Sequence, residues 1–202
     1  MISLKSSEGG RMNLQKLYIS AAAAEAGINP TNVLTFRPLG KEVRDELLNK
    51  IRLLPPGCVV DLDFTGVEIC DVSFVDEIVL EVQSYLIGKI PDKVIMISNV
   101  SEATLENLKA ALAWRDQRGT RLQILQSKDG VLTYIGKLER NLDETLKVLF
   151  ARKKITAREI AELNGIAINS ASNRLKKLYD HRLVLREEII DNSGKQHFYF
   201  LP

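Results

Sequence analysis

The carboxylates of Asp61 and Asp63 are the first side chains whose spacing could support chemistry. They lie two residues apart in the apolar run from Cys58 to Phe64, which predicts a buried strand, so both face one side of it. Catalysis by such a pair needs a pocket and a third functional group, and the sequence indicates neither. We expect Asp63 to fix the loop after the strand. An enzyme using the carboxylates of Asp61, Asp63 and Asp76 is the least favoured class of function, and the sequence indicates no cofactor.

A second chemistry is indicated by the helix predicted from Ile168 to His181. At 100° per residue its apolar side holds Ile168, Ala171, Leu175 and Leu178, and its polar side holds Asn169, Asn173, Lys176 and Asp180, with Ser170 and Lys177 beside them. Asparagine pairs with adenine in the DNA major groove, and lysine suits phosphate or guanine. The predicted contacts to double-stranded DNA are Thr156, Arg158, Asn169, Ser170, Ser172, Asn173, Arg174, Lys176, Lys177 and Lys195. A solvated helix face and a protein-binding surface are the alternatives.

The charge distribution favours DNA over those alternatives. The 202-residue chain has 28 basic and 26 acidic side chains, yet residues 152–177 hold seven basic and two acidic ones. No apolar run reaches the length of about 18 residues that a bilayer span needs, and the first ten residues lack the pattern of a secretory signal. Two cysteines, Cys58 and Cys70, are too few for a disulfide scaffold. We expect a cytoplasmic protein with reduced core thiols and no membrane segment.

The pattern of strands and helices divides the chain near residues 137–141. Before this point apolar strands alternate with amphipathic helices, which predicts an α/β sandwich with a mixed sheet over residues 32–138 and an extension over residues 1–31. A strand is predicted over 32–37, the predicted helices include 41–54, 73–88 and 102–117, and Asp129-Gly130 predicts a hairpin turn. Trp114 and its apolar neighbours on the third of these helices are assigned to the core.

Residues 141–202 are predicted to fold as helix, helix, turn, helix and β-hairpin. Thr156-Ala-Arg-Glu159 reads as a capping box that opens the second helix, and Asn164-Gly165 ends it. The segments 155–165, 173–178 and 182–184 resemble bacterial winged helix-turn-helix regulators of the multiple-antibiotic-resistance and arsenical-resistance repressor types. This resemblance implies a DNA-binding domain. It implies no metal site, because the segment lacks cysteine, and His181 is expected to be a structural residue at a helix end, where the dipole favours a cation.

The sequence Ser73-Phe-Val-Asp-Glu77 follows the predicted strand 58–64, and Arg37-Pro-Leu-Gly-Lys-Glu-Val-Arg44 lies upstream. These segments resemble the STAS domain of sulfate transporters and anti-sigma factor antagonists, in the variant that carries a Ser-Phe-Ala-Asp-Glu sequence. The resemblance implies that Ser73 matches a serine phosphorylated by a partner kinase. Val72 and Phe74 depart from the antagonist pattern, and Asp76 and Glu77 would repel a phosphate on Ser73. The simpler expectation is that Ser73 is an N-cap whose first turn carries these two carboxylates.

The sequence therefore predicts a non-enzymatic bacterial regulator, in which a STAS-like domain senses a partner or ligand and a winged helix binds duplex DNA. A homodimer is expected from the half-site geometry of such DNA-binding motifs. The alternative is a partner-switching adaptor, in which Ser73 is a phosphoswitch for a kinase or anti-sigma-like ATPase and the winged helix contacts protein.

Overall fold

A computed structural model describes residues 13–29, 32–191 and 194–202 of the chain. Its strands are β1 (Asn13–Tyr18), β2 (Val33–Leu34), β3 (Cys58–Asp63), β4 (Ile69–Cys70), β5 (Val94–Ser98), β6 (Ile124–Lys128), β7 (Val131–Ile135), β8 (Lys154–Thr156), β9 (Leu185–Asp191) and β10 (Gly194–Phe200). Its helices are α1 (Ile19–Glu25), α2 (Arg37–Leu53), α3 (Val72–Val75), α4 (Val82–Lys89), α5 (Glu102–Gln117), α6 (Arg140–Arg152), α7 (Ala157–Asn164) and α8 (Ile168–Asp180). A π-helical segment, Asp76–Glu81, joins α3 to α4, and we call the three together helix 72–89.

The N-terminal part is built on a five-stranded sheet of order β1-β3-β5-β6-β7. The first four strands are parallel and β7 is antiparallel to β6, so the predicted α/β class with a mixed sheet is confirmed. The parallel strands add in one direction, and right-handed crossovers then place their connecting helices on one face. Accordingly, Val60, Leu62, Ile95 and Ile97 share a core with α1, α2, helix 72–89 and α5.

The C-terminal part covers the other face of this sheet. Because side chains alternate along a strand, Val59, Val94 and Leu125 point away from the connecting helices, and they are buried with Leu146 and Leu175 in a second apolar cluster. Residues 141–202 therefore share a core with the sheet.

Residues 140–202 fold as α6, β8, α7, α8 and a hairpin of β9 and β10. β10 pairs with both β9 and the short β8 in a three-stranded antiparallel sheet. The predicted capping box is confirmed, since the side chain of Thr156 accepts from Glu159 N and that of Glu159 accepts from Thr156 N. Gly165 ends α7 with φ +61°, in the left-handed region that glycine adopts without a Cβ clash. The sequence had not predicted β8.

Two elements differ from their sequence predictions, and a third answers a question that the sequence left open. The segment 13–18 is an edge strand parallel to β3, so this part of the N-terminal extension belongs to the sheet. The strand predicted over 32–37 is reduced to the two-residue β2, which pairs with β4. Helix 72–89 lies where a helix was predicted but contains six π-helical residues. Residues 1–12 and the hairpin tip Asn192-Ser193 lie outside the described residues. Within the described ranges, no helix is both long and apolar enough to cross a bilayer.

Candidate nucleic-acid interface

Helix α8 presents the polar side that its sequence predicts. Ala171, Leu175 and Leu178 are fully buried, which anchors the opposite side of the helix in the core. The exposed side chains are Asn169, Ser170, Ser172, Asn173, Lys176 and Lys177. Ile168 is an exception to the predicted apolar side, because it is half exposed at the first turn. Arg174 is partly buried, and its Nε has no hydrogen-bond partner among the described residues.

A groove of about 320 Å³ separates the start of α8 from the β9–β10 hairpin. It is lined by Ala157, Arg158, Ile168, Asn169, Ser172, Lys195, Gln196, His197 and Tyr199. Four predicted DNA contacts, Arg158, Asn169, Ser172 and Lys195, are thus brought together from three elements. Gln196 and His197 were not predicted, because they join the groove only through the pairing of β10 with β8 and β9.

Thr156 is not available for the phosphate contact that the sequence predicted. It is 5% exposed, and its amide and hydroxyl both donate to Glu159 Oε2, at 2.7 and 2.8 Å. A carboxylate therefore occupies the position in which a phosphate was expected. Thr156 is corrected from a DNA contact to the cap of α7.

The exposed lysines of this region are paired with carboxylates of their own surface. Lys176 Nζ lies 2.5 Å from Asp180, Lys177 Nζ lies 3.4 Å from Glu139, and Lys195 Nζ lies 2.7 Å from Glu188. Exposed ion pairs contribute only about 0–1 kcal/mol each. A phosphate can therefore replace these carboxylates at small cost.

His197 adds a neutral donor or acceptor to the groove. Its Nδ1 is buried, has no hydrogen-bond partner among the described residues and lies 4.0 Å from Glu188. Burial lowers the pKa of His197, and the nearby charges of Arg186 and Lys195 lower it further. The imidazole is therefore uncharged at neutral pH.

His181 and Arg182 connect the end of α8 to the N-terminal sheet. The Nδ1–H of His181 donates to Gln123 Oε1 at 2.7 Å, which supports the expected structural role. Burial lowers the pKa of His181, which disfavours the cation that the helix dipole would favour here. Within the described residues, no three side chains of the His, Cys, Asp or Glu type gather as a metal site.

A second surface lies at the start of helix 72–89. The helix is capped by Asp71, which accepts from Phe74 N at 2.7 Å, from Phe36 N at 3.0 Å and from Ser73 Oγ at 2.8 Å. The prediction that Ser73 is the N-cap is therefore wrong. Burial acts to raise the pKa of Asp71, but these hydrogen bonds outweigh it and hold the pKa below its ordinary value. Ser73 is half-buried, with its hydroxyl directed at Asp71.

The carboxylates of Asp76 and Glu77 are buried in a network of three arginines. Arg37 Nη1 lies 2.8 Å from Asp76 and 2.7 Å from Glu77, Arg44 lies 2.6 Å from Glu77, and Arg115 Nε lies 2.5 Å from Asp76. Burial acts to raise the pKa of Asp76, but the hydrogen bonds from Arg115 and Arg37 lower it overall. Asp76 and Glu77 therefore form ion pairs with arginine side chains instead of stabilising the first turn of the helix. Arg37 and Arg44 lie on α2 and Arg115 lies on α5, and the sequence carries no signal that these two helices meet at Asp76 and Glu77.

Trp114 lies at the surface, which corrects its assignment to the core. It is 49% exposed, and the guanidinium of Arg118 stacks 3.6 Å from its ring centre. Together with Arg37, Val72, Ser73, Asp76, Ala110 and Ala111 it lines a cavity of about 390 Å³, which we call the Ser73 groove. Phe36, 68% exposed, precedes Arg37 at the start of α2. Exposed apolar side chains that share one groove, as Val72 and Trp114 do, are typical of a protein-binding surface.

Asp61 and Asp63 lie on one side of β3, as predicted, and Asp63 organises the following loop. Asp63 Oδ1 accepts from Thr65 N, Thr65 Oγ1 and Asn99 Nδ2 at 2.6–2.8 Å. Lys16 of β1 lies 2.7 Å from Asp63 and 3.7 Å from Asp61. Burial opposes ionisation of Asp63, but the hydrogen bonds of Lys16, Thr65 and Asn99 lower its pKa to about 2, whereas burial raises the pKa of Asp61. The expected loop-fixing role is confirmed.

No protein-family profile matches this chain. A comparison with curated proteins likewise finds no sequence similar to it.

Proposed function

We propose that the protein is a non-catalytic transcriptional regulator in which α8 enters the major groove of duplex DNA. The observation that carries the proposal is the two-sided burial of α8. Its apolar side is fixed in the core by Leu175 and Leu178, and its opposite side exposes asparagine, serine and lysine without neighbouring cover. A helix about 10–12 Å across fits a major groove about 12 Å wide.

The exposed residues of α8 fall into two groups, which differ in their position along the helix and in their chemistry. Asn169 and Asn173 carry amides that can pair with adenine edges, and Lys176 and Lys177, further along the helix, suit phosphates. Arg158 and Lys195 line the groove beside α8 and suit the DNA backbone. The charged side chains are exposed, so binding needs no buried group to be uncovered.

The element order α6, β8, α7, α8, β9 and β10 with a three-stranded sheet supports a winged helix-turn-helix arrangement. In that arrangement α8 is the recognition helix and the β9–β10 hairpin is the wing. The parallel sheet with helices on one face supports the STAS-like assignment of the N-terminal part, which would bind a partner or ligand. A homodimer in the cytoplasm would place two copies of α8 on a pseudo-palindromic site.

The test is binding of the purified full chain to fluorescent duplexes, including genomic fragments, measured by anisotropy. Asn173→Ala is expected to weaken binding to the preferred duplex by about 1–3 kcal/mol and to relax its sequence preference. The matched control is Asn49→Ala, because Asn49 is an exposed asparagine on α2, far from α8 in sequence. Equal binding by Asn173→Ala and Asn49→Ala at every duplex would reject the proposal.

A second candidate function, a partner-switching adaptor, is favoured by one observation. The Ser73 groove places the half-exposed Trp114 and Val72 beside Ser73, where a partner protein could contact all three. The hydroxyl of Ser73 is bonded to Asp71, so a kinase would first have to break that hydrogen bond. Incorporation of one phosphate at Ser73 by a partner kinase, with loss of partner binding in Ser73→Asp and retention in Ser73→Ala, would support this function. An unmodified Ser73 would count against it.

A further inference from the structure

Helix 72–89 joins the two surfaces described above. Its first residues line the Ser73 groove, and its last turn contacts the residues that follow α8. Eighteen residues at about 1.5 Å each make it roughly 27 Å long. It therefore spans the distance between a partner-binding surface and the proposed recognition helix.

The contact at its C-terminal end depends on Arg182. This side chain is 4% exposed, and its guanidinium donates to Leu86 O at 3.3 Å, to Ile87 O at 3.2 Å and to Tyr179 O at 2.8 Å. It thus binds the last carbonyls of α4 and of α8 together, where helix dipoles favour a cation. Arg182 has φ +58°, a conformation that a residue other than glycine keeps only where its surroundings hold it.

Gln83 makes a second contact between the same elements. Its Nε2 donates to Gln123 O at 2.9 Å and to His181 O at 3.1 Å, and it is fully buried. His181 in turn bonds the side chain of Gln123. The position of α4 along its axis therefore determines where the end of α8 is held.

The middle of helix 72–89 is the π-helical segment Asp76–Glu81. Short π-helical turns within α-helices are rare and frequently lie at functional sites. The network of Arg37, Arg44 and Arg115 holds Asp76, Glu77 and Glu81, which are residues of this segment. A change from π to α winding would move the following residues by about 1.5 Å and rotate them by about 100°. That movement would carry Gln83 and the carbonyls of Leu86 and Ile87 away from His181 and Arg182.

We propose that helix 72–89 is a two-register element that couples the Ser73 groove to α8. Withdrawal of Arg37 from Asp76 and Glu77 lets the π-helical segment change register, and Gln83 and Arg182 transmit the change to α8. The effect on DNA rests on the proposed function of α8, but the coupling itself does not. Because coupling between two sites acts in both directions, we expect a change at Arg182 to act back on the π-helical segment.

The test is NMR-detected amide hydrogen exchange of the full chain without DNA. Arg37→Ala is expected to speed exchange at residues 181–183 by a factor in the coupling range of about 5–150, relative to residues 94–98 of β5. Arg182→Gln is expected to speed exchange at residues 76–81 by a similar factor. The matched control is Lys109→Ala, because Lys109 is a half-exposed cation paired with Glu106 on α5.

Each exchange rate is compared with the exchange rates of β5 in the same variant. This comparison separates coupling from general destabilisation, because global unfolding raises all exchange rates together. Faster exchange confined to residues 72–81 in Arg37→Ala, and to residues 181–183 in Arg182→Gln, would overturn the proposal. Because the readout contains no DNA, absence of DNA binding would reject the proposed function while the exchange data still decide the coupling.

Discussion

The charged groups of α8 and those of helix 72–89 are held in opposite ways. The side chains of Lys176 and Asp180 are 61% and 49% exposed, whereas those of Arg115 and Asp76 are 10% and 4% exposed. Water screens the first pair, so it contributes little and can be exchanged for a phosphate. The second pair has lost its water and depends on its partners. The charges of α8 are therefore replaceable, as the proposed DNA-binding role requires, whereas the buried charges of helix 72–89 are not.

Asp76→Ala should cause the largest loss of unfolding free energy among these variants. It leaves the guanidinium of Arg115 buried without Asp76, and removing one partner of a buried ion pair costs about 3–5 kcal/mol. Asp180→Ala, the matched change on α8, should cost less than about 1 kcal/mol. Urea denaturation of both variants measures the difference. Equal losses would contradict the distinction.

Leu125→Ala tests whether the two parts share one core. Leu125 lies on the sheet but packs with α6 and α8, and deletion of a buried leucine side chain costs about 2–5 kcal/mol. We expect the residues of α8 and of β5 to lose amide protection in a single transition. Leu163→Ala, at a half-exposed leucine of α7, should stay within about 0.5 kcal/mol. Two separate transitions would show that the parts unfold independently.

The low pKa of Asp63 predicts a loss of stability in acid. Its pKa of about 2 in the folded state lies below the unfolded value of about 3.9, so the stabilisation is present above the unfolded value and is lost as the pH falls through about 2. The lowered pKa corresponds to about 2.6 kcal/mol at neutral pH, of which about 2 kcal/mol is lost by pH 2, where the carboxyl is half protonated in the folded state. The difference in unfolding free energy between wild type and Asp63→Asn should therefore shrink by about 2 kcal/mol from pH 6 to pH 2. If the difference in unfolding free energy does not change with pH, the low pKa of Asp63 is contradicted.

Thr156→Ala should have the smallest of these effects on stability. Loss of an N-cap side chain costs about 0.5–2 kcal/mol, and Thr156 is buried against Glu159. If it is a cap and not a DNA contact, the salt dependence of DNA binding should not change. Thermal unfolding and anisotropy at two salt concentrations check both statements. A shallower slope of log K against log salt in Thr156→Ala would show that Thr156 contacts a phosphate of the DNA.

Features set by local chemistry were predictable from the sequence. The bounds of α5, the turn at Asp129-Gly130, the capping box of α7 and the polar side of α8 each depend on residues a few positions apart. The π-helical segment, strand β8 and the exposure of Trp114 were missed, because they depend on which distant elements pack together. The arginine network has the same origin, since Arg37, Asp76 and Arg115 lie on three separate elements.

Only part of the candidate DNA interface was predictable, because it too combines residues of one helix with residues that distant elements bring to it. Helical periodicity placed the asparagines and lysines of α8, whereas Gln196 and His197 join them only through the pairing of β10. Thr156 was misassigned because a capping box and a phosphate site use the same amide and hydroxyl. Only the carboxylate of Glu159 in contact with both groups separates the two roles.

DNA recognition by α8 is tested most directly by the salt dependence of duplex DNA binding in a double variant, Lys176→Ala with Lys177→Ala. Each phosphate contact contributes about −0.9 to the slope of log K against log salt. If α8 lies in the major groove, the slope becomes shallower by about 2 in the double variant, while Lys109→Ala leaves it unchanged. A double variant with the wild-type slope, or a wild-type protein that does not bind duplex DNA at low salt, would contradict the assignment of α8 as a DNA-recognition helix.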